Sequence, residues 1–287
     1  MEKIKIIVDS GHSIEKDLAD KYDIGTIPFK IHFGDKSYTD QKDISTDEFF
    51  KKLKETDQKV TTSIPSLGEF SEELKKYIDK GYNRILCFAI APKLSGMYNM
   101  MNLGKNEMEN DKVKIEVINT KTASLPLYFI ATNAAKRAKD GEDFETIHKK
   151  ALEEVKKANI YARAKSLDYL VKGGRLPKPI AKFANLVSFL PIFTLKDGEI
   201  KIEKKAIGQR KSFKELVKLT KEKCKKDYIL AIGGGDSKKE LDEFKEAIKD
   251  EIENAKIFKQ FQIPPVFGVH LGPGSILVSV LDYEDFA

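Results

Sequence analysis

The sequence predicts an α/β protein built from two α/β domains. Strand patterns alternate with helix patterns through the first half of the chain, which is typical of a mostly parallel sheet covered by helices on both faces. The pattern changes near residue 160, and the second half of the chain indicates a mixed α/β arrangement. A length of 287 residues fits one large domain or two of ordinary size. We therefore divide the chain into residues 1–160 and residues 161–287.

The composition narrows the class of protein. A content of 41% hydrophobic and 33% charged residues is typical of a soluble globular chain. No apolar run approaches the ~20 residues of a membrane span, and the chain enters a strand pattern without a signal-peptide pattern before it. The two cysteines, Cys87 and Cys224, form neither a metal-binding spacing nor a disulfide framework. We therefore expect a cytoplasmic protein.

The first elements are a strand, a helix and a second strand. Apolar residues over positions 4–8 predict a strand that ends at Asp9-Ser10-Gly11. A polar helix pattern follows from about Ser13 and stops at Gly25. Alternation over positions 27–33 predicts the second strand.

Two capping boxes predict the next helices. Ser45-x-x-Glu48 and Ser66-x-x-Glu69 each place a hydroxyl three residues before a glutamate, ahead of an apolar pattern. The residues just before Ser66 predict a polar loop, whose hydroxyls suit an oxyanion or a carboxylate. Helix capping explains Ser66 but does not explain Thr62 and Ser63.

Two strand-to-helix units come next. A continuous apolar strand over positions 84–91 leads to Ser95 and then to a helix pattern that contains Met97, Met100 and Met101. A strand over positions 113–118 leads in the same way to a helix. Ligands of open α/β sheets bind outside the carboxyl ends of the strands, so Ser95 is a candidate site residue.

The second half is less regular. Gly173-Gly174-Arg175 precedes an apolar segment, Pro177 to Phe193. Asp197-Gly198 between two short apolar runs predicts a hairpin. A basic helix, a strand from Tyr228 to Ile232 and a loop at Gly233-Gly234-Gly235 come after it, and this loop lacks the G-x-G-x-x-G spacing of a nucleotide site.

The stretch His270-Leu271-Gly272-Pro273-Gly274-Ser275 lies between two apolar runs. The run after it, Ile276 to Leu281, predicts a buried strand. Gly272, Pro273 and Gly274 fix a tight turn, so Gly272, Gly274 and Ser275 are candidates for turn support. A strand-turn-strand connection with a surface histidine remains the alternative.

Residues 201–226 concentrate positive charge. They contain eleven Lys and Arg residues against three Glu, a net charge of +8, whereas the whole chain carries +6. This run is either a solvated helix face or a docking surface for an acidic partner or for anionic membrane headgroups. We do not expect nucleic acid, since aromatic residues are not interleaved with these charges.

Five motifs in order resemble the DegV family of bacterial fatty-acid-binding proteins, which includes the fatty-acid-binding subunits of fatty acid kinase. They are Asp9-Ser10, Thr62-Ser63-Ile64-Pro65-Ser66, Leu94-Ser95-Gly96-Met97-Tyr98, Gly173-Gly174-Arg175-Leu176 and His270 to Ser275. The chain departs from the family pattern, which usually has Gln at Ile64 and Thr at Met97, Leu271 and Ser275. The changes at Met97 and Leu271 remove polar groups from the expected head-group region.

The resemblance implies that an acyl chain is buried between two α/β domains. It implies a fatty-acid carboxylate held by Thr62, Ser63, Ser95 and His270. It also implies that Arg175 and Arg210 serve the head group or the interaction with a partner kinase, which phosphorylates the bound carboxylate. The protein would then contribute no catalytic residue, metal or cofactor of its own.

The residue chemistry agrees with this interpretation. A buried carboxylate needs hydrogen-bond donors, which hydroxyls and a histidine supply. The apolar segment Pro177 to Phe193 and the helix start Met97 to Met101 offer a lining for an acyl chain, although ordinary core is the alternative for both.

An enzyme is the competing interpretation. Ser95, His270 and Asp9 could form the triad of a serine hydrolase acting on acyl esters. However, Ser95 lies in Lys93-Leu94-Ser95-Gly96-Met97, which is not the G-x-S-x-G elbow of such enzymes. A small-molecule kinase would need a phosphate cradle and metal-binding carboxylates, which the sequence does not contain.

Overall fold

A computed structural model describes residues 2–177, 180 and 188–286. Its strands are β1 (Ile4–Asp9), β2 (Ile24–Ile27), β3 (Lys30–Phe33), β4 (Lys36–Thr39), β5 (Val60–Ser63), β6 (Arg84–Ala89), β7 (Lys114–Asn119), β8 (Tyr161–Arg163), β9 (Ile192–Lys196), β10 (Glu199–Lys204), β11 (Tyr228–Gly234), β12 (Ile257–Gln262) and β13 (Ile276–Asp282). The helices are α1 (Lys16–Lys21), α2 (Thr46–Glu55), α3 (Leu67–Asp79), α4 (Met97–Met108), α5 (Leu125–Lys139), α6 (Phe144–Lys157), α7 (Asp168–Lys172), α8 (Gln209–Lys223), α9 (Lys238–Ala247), α10 (Lys249–Glu253), α11 (Pro265–Leu271) and α12 (Tyr283–Phe286).

The described strands form three sheets. A four-stranded sheet in the order β2-β1-β6-β7 is parallel throughout. A six-stranded sheet in the order β10-β9-β8-β13-β11-β12 is mixed, with β11 and β12 parallel and the other pairs antiparallel. A small antiparallel sheet, β4-β3-β5, lies between β2 and α3 in the chain. The predicted fold class, a parallel N-terminal sheet with helices and a mixed C-terminal part, is confirmed.

One core joins the two large sheets. Helix α5 is buried over most of its length and packs against β1 on one side and against β11 and β13 on the other. Its core cluster accordingly contains Ile7 and Phe88 from the first sheet together with Ile229 and Leu277 from the second. The division into residues 1–160 and 161–287 stays an interpretation of the sequence.

Local signals place several elements as predicted. In α2 the backbone N–H of Glu48 donates to Ser45 Oγ at 3.3 Å, and the N–H of Ser45 donates back to the Glu48 carboxylate at 3.0 Å. Ser66 and Glu69 make the same reciprocal pair in α3. Strands β9 and β10 form the predicted hairpin around Asp197-Gly198.

Three predictions in the first half are wrong in detail. Helix α1 ends at Lys21, and Gly25 lies inside β2. The alternation over positions 27–33 belongs to two strands of different sheets, because Pro28 between them has no N–H for a ladder. The polar loop before Ser66 is partly strand β5, where Thr62 pairs with Ile31 and Ser63 with Lys30.

Two predictions in the second half are also wrong. Gly233 and Gly234 lie in β11 and not in a loop, and a Cβ at Gly234 would come within 2.7 Å of Leu241. The glycine therefore lets α9 pack closely on the strand. The strand-turn-strand alternative is wrong as well, because the apolar run before His270 is helix α11, with proline in its first turn.

Helix α11 is fixed by the small sheet and α2. Val269 belongs to the apolar cluster of Ile31, Phe49 and Phe50. A Cβ at Gly268 would come within 2.4 Å of the Phe49 ring, so only glycine permits this close approach. The helix that carries His270 is therefore held against β3 and α2.

None of the helices in the described part of the chain combines the length and the apolar character that crossing a bilayer requires.

Candidate functional site

A cavity of about 340 Å³ opens where the three sheets meet. This volume lies in the range of small-ligand sites, about 300–1,000 Å³. Its lining includes Ile90, which directly follows β6, and Ala123, in the loop after β7, and the carboxyl ends of strands are the usual place for a ligand in an open α/β sheet. The wall is mostly apolar: Phe29, Ile64, Ile90, Leu94, Ala123, Ile160, Ala162, Leu170, Phe193, Leu195, Ile200, Val266, Phe267, Leu271 and Leu277.

Five of the residues predicted from the sequence line this cavity. They are Thr62, Ser63, Ser95, Arg175 and His270. They come from β5, from the loop before α4, from the turn after α7 and from α11. Arg210 and the turn residues Gly272, Gly274 and Ser275 do not line it.

Thr62 and His270 are in direct contact. The Oγ1 atom of Thr62 lies 3.1 Å from Nε2 of His270. Successive side chains of a strand point to opposite faces, and Ser63 accordingly bonds to Nε2 of His32 at 2.8 Å on an exposed face. The structure thus brings Thr62 to the histidine and directs the hydroxyl of Ser63 elsewhere.

His270 is neutral and has an open hydrogen-bonding atom. Burial and, to a smaller extent, the positive charge of Arg175 lower the pKa of its imidazole to about 3. Its Nδ1 atom is buried and has no hydrogen-bond partner among the described residues. A neutral imidazole offers one N–H and one acceptor nitrogen, so the ring can still donate to, or accept from, a ligand.

Gly173 makes room for the His270 ring. A Cβ at this position would lie 2.2 Å from Nδ1 of His270. Gly173 also ends α7, because its N–H donates to the carbonyl of Tyr169 at 2.8 Å. Gly173 therefore both ends the helix and leaves space for the His270 ring.

Arg175 joins two loops at the edge of the cavity. Its Nε donates to the carbonyl of Leu94 at 3.1 Å, and its Nη1 donates to the carbonyl of Gly173 at 2.7 Å. Partial burial lowers the pKa of the guanidinium from its usual value, yet the group remains charged. Among the described residues no carboxylate pairs with it, so its charge is available to an anion.

Ser95, His270 and Asp9 do not form a hydrolase triad. Ser95 Oγ accepts from the N–H of Met97 at 3.2 Å. Asp9 is fully buried and accepts the N–H groups of Gly11 and Ile90, at 2.8 and 2.6 Å. Because the imidazole bonds to Thr62 and neither to a carboxylate nor to a serine nucleophile, the hydrolase interpretation is not supported.

The glycine turn after α11 holds the end of the helix that carries His270. Gly272 has φ +73°, and a Cβ there would come within 2.2 Å of the Tyr169 ring. Ser275 Oγ donates to the carbonyls of Leu271 and Gly272, at 2.7 and 2.8 Å. Gly274 donates its N–H to Asp236 at 3.1 Å.

Arg210 lies apart from the cavity. It is exposed in the first turn of α8, within the basic stretch of residues 201–226. Two lysines of this stretch make long ion pairs, Lys218–Glu222 at 3.8 Å and Lys221–Glu251 at 3.6 Å, whereas Lys201 pairs closely with Glu199 at 2.5 Å.

The sequence located the polar end of the site better than its apolar wall. Met97, Met100 and Met101 pack in the core and do not line the cavity, so their predicted role is wrong. Phe193 does line it, but residues 178–179 and 181–187 of the predicted apolar segment lie outside the described residues. Wall residues such as Phe29 have the pattern of ordinary core and carry no separate signal.

Metal binding has no support in the described part of the chain. Within residues 2–177, 180 and 188–286, no group of three or more His, Cys, Asp or Glu is arranged to hold an ion.

Comparisons with known proteins agree with this architecture. A DegV domain-containing protein of Clostridium perfringens is 33% identical over 217 residues, which are 76% of this chain and 77% of that protein. One of Clostridium acetobutylicum is 30% identical over 286 residues, which are 98% of this chain and 100% of that protein. A solved structure from Eubacterium ventriosum, described as a stearic-acid-binding protein, is 26% identical with a TM-score of 0.86 and covers 98% of this chain and 99% of its own.

A family model described as "Uncharacterised protein, DegV family" matches residues 3–282, nearly the full chain. These residues include all five motifs that carry the resemblance in the sequence. The chain belongs to the DegV family.

Proposed function

We propose that the protein binds one long-chain fatty acid, with the acyl chain in the cavity and the carboxylate at the Thr62–His270 end. The observation that carries this proposal is a mostly apolar cavity in which the polar residues Thr62, Ser95, Arg175 and His270 come from connected elements, whereas Ser124 and Thr194 line it separately. Thr62 contacts His270, His270 packs on Gly173, and Arg175 joins Gly173 to the loop of Ser95.

The two parts of the cavity suit the two parts of a fatty acid. Burial of hydrocarbon contributes about 0.8 kcal/mol per methylene, so a long chain supplies most of the affinity. The carboxylate would gain hydrogen bonds from Thr62, Ser95 and His270 and the charge of Arg175. The stearic-acid-binding relative from Eubacterium ventriosum has the same fold over nearly its whole chain, which supports the assignment.

The protein would act by presenting its ligand to a partner. In this proposal the catalytic subunit of a fatty acid kinase phosphorylates the carboxylate and the binding protein supplies no nucleophile. Support comes from the motifs of the DegV family, from the charged Arg175 at the edge of the cavity, and from the exposed Arg210 on a surface of net charge +8. The same surface would meet anionic headgroups transiently where acyl groups are delivered. We place the protein in a reducing cytoplasm, in keeping with the free thiols of Cys87 and Cys224.

Mass spectrometry of the purified protein tests the binding function. Under denaturing conditions we expect the unmodified chain together with a released long-chain fatty acid. A covalent acyl adduct on Ser95, or steady turnover of acyl esters that disappears in Ser95→Ala, would instead establish a hydrolase. Absence of binding when the delipidated protein is titrated with long-chain fatty acids would contradict both interpretations.

A further inference from the structure

Two buried carboxyl groups lie directly behind the cavity wall. Asp9 is 0% exposed and Asp40 is 2% exposed. Ser10 connects them, because it follows Asp9 in the chain and its hydroxyl donates to Asp40 Oδ2 at 2.7 Å. Within the described residues neither carboxyl has a Lys, Arg or His ion-pair partner, and Asp40 Oδ1 has no hydrogen-bond partner.

This Asp9–Ser10–Asp40 unit holds three residues of the cavity wall. Ile90 donates its backbone N–H to Asp9 at 2.6 Å. Phe29 donates its N–H to Ser10 Oγ at 3.0 Å and accepts the N–H of Asp40 at 2.8 Å. The N–H of Val266, in the first turn of the helix that carries His270, lies against the Asp40 carboxyl. Phe29, Ile90 and Val266 all line the cavity.

The surroundings of the unit favour the protonated form of its carboxyls. The pKa of both carboxyls is raised to about 7, mainly by burial, and the charge of Asp9 contributes to this rise at Asp40. The nearby His12 on the loop after β1 does not supply a cation, because burial lowers its pKa to about 3 and its ring nitrogens face Thr26 and the N–H of Ile14. The other groups that face the two carboxyls are backbone N–H groups: that of Ile90, just after β6, faces Asp9, and that of Val266 in α11 faces Asp40. His270 lies one turn further along α11.

We propose that Asp9 and Asp40, two buried carboxyls without a cationic partner among the described residues, position the cavity wall and couple acyl-chain binding to proton uptake. Hydrocarbon in the cavity replaces water that would otherwise solvate an ionised pair through the thin wall at Phe29, Ile90 and Val266. The loaded protein therefore holds the proton more tightly than the empty protein. By linkage, affinity for an apolar ligand falls as pH rises through neutrality. This inference rests on the proposed occupancy of the cavity by an acyl chain.

An uncharged ligand separates this effect from titration of the fatty acid itself. The dissociation constant of hexadecanol is measured between pH 6.0 and pH 8.5 for the wild type and for Asp40→Asn, which keeps the shape and the Ser10 contact. We expect it to increase roughly three- to tenfold over this range in the wild type, since one unit of pKa shift corresponds to tenfold in affinity. We expect a weaker pH dependence in Asp40→Asn, because this variant keeps only the raised pKa of Asp9. Calorimetry in two buffers of different ionisation enthalpy should show proton uptake in the wild type and less uptake in Asp40→Asn.

Two further measurements keep the test decisive. His270→Gln should change the affinity for hexadecanol but retain its pH dependence. If His270→Gln loses the pH dependence and Asp40→Asn retains it in full, the effect belongs to the histidine and the proposal is overturned. If Asp40→Asn does not fold, carboxyl ¹³C NMR of the wild type replaces it, and the midpoint of the pair should rise when hexadecanol binds. An unchanged midpoint, or pH-independent binding of hexadecanol by the wild type, also overturns it. No binding of hexadecanol or fatty acid at any pH is a different result, because it refutes the proposed function and the coupling with it.

Discussion

The Oγ1 atom of Thr62 lies 3.1 Å from Nε2 of His270, and this contact joins two residues that are 208 positions apart in the chain. Thr62 is fixed by the pairing of β5 with β3, and α11 is fixed by packing on the same small sheet. The contact therefore depends on the sheet as a whole. It also orients the imidazole, so that Nε2 faces the Thr62 hydroxyl and the buried Nδ1 lies against Gly173.

Removal of the Thr62 hydroxyl should weaken fatty-acid binding. Thr62→Val keeps the branched shape suited to a strand and deletes one donor. Loss of a hydrogen bond to a charged group costs about 1.5–3 kcal/mol, so we expect a dissociation constant roughly ten to a hundred times higher. His270→Ala should lose affinity in the same range. Titration of delipidated protein with a fatty acid measures both.

Ser63→Ala is the matched comparison for Thr62→Val. Its hydroxyl bonds to His32 on an exposed face, so we expect a change of less than about twofold, within the range of ordinary surface substitutions. Thermal unfolding of each variant separates loss of affinity from loss of the fold. Equal losses in Ser63→Ala and Thr62→Val would show that Ser63 also reaches the carboxylate, as the resemblance to the family implies.

Gly173→Ala should disturb the site through His270. The added Cβ would lie 2.2 Å from the ring nitrogen, a distance that forces the imidazole or the turn to move. We expect weaker fatty-acid binding and loss of the Thr62 contact, with a modest loss of stability. A crystal structure or the imidazole NMR signals of the variant would report the displacement.

Gly68→Ala provides the control for Gly173→Ala. Gly68 lies in α3 with no atom within 4 Å of the added methyl group, and alanine is the better helix former. This variant should bind as the wild type does and should be slightly more stable. Normal affinity in Gly173→Ala would mean that the ring adapts and that the glycine only ends α7.

Local chemistry explains which parts of the fold the sequence predicts correctly. Capping boxes such as Ser45-x-x-Glu48 and the hairpin turn Asp197-Gly198 act within a few residues, so the sequence contains their whole cause. The sequence does not decide between a strand and a helix for the residues of α11, because a short apolar run has no decisive period. Their helical form depends on Phe49, which packs against Gly268 from a distant element.

The residues of the site also differ in how far the sequence predicts them. Thr62, Ser95 and His270 can be found from the sequence because each lies in a predicted loop or at a predicted strand end, where α/β sheets bind their ligands. Apolar wall residues such as Ile160 do not stand out, since burial in a core and burial against a ligand require the same side chains. The contact of Gly173 with His270 depends on tertiary packing, so the sequence indicates only a helix stop.

His270 should remain neutral through the physiological range. Burial and the charge of Arg175 lower its pKa to about 3, against about 6.5 in an unfolded chain. Its imidazole ¹H signals should therefore not titrate between pH 5 and pH 8 in the folded protein, and should titrate near pH 6.5 in denaturant. Because the unfolded state takes up the proton first, the stability associated with His270 is present above pH 6.5 and is lost as pH falls towards 3.

Arg175→Ala should alter this titration. Without the guanidinium, one of the two causes that lower the pKa of His270 is removed, so its titration midpoint should rise. Burial should still keep this midpoint below the usual value for histidine. A midpoint near 6.5 in the wild type would mean that the ring is solvated. The imidazole would then be available as a cation for the carboxylate.

Arg210→Ala should separate ligand binding from presentation to the kinase. Arg210 is exposed and does not line the cavity, so its removal should leave fatty-acid affinity unchanged. A charge at the rim of a docking surface acts mainly on encounter, so the rate of acyl-phosphate formation should fall, and the wild-type rate should decrease as salt rises. Lys205→Ala, also exposed and in the same stretch, is the matched control for lost charge alone. Equal rate losses in both variants would indicate a diffuse basic surface, and a larger loss in Arg210→Ala would indicate a specific contact. If Arg210→Ala instead releases the lipid, and its rate at saturating lipid is normal and insensitive to salt, this arginine belongs to the ligand site.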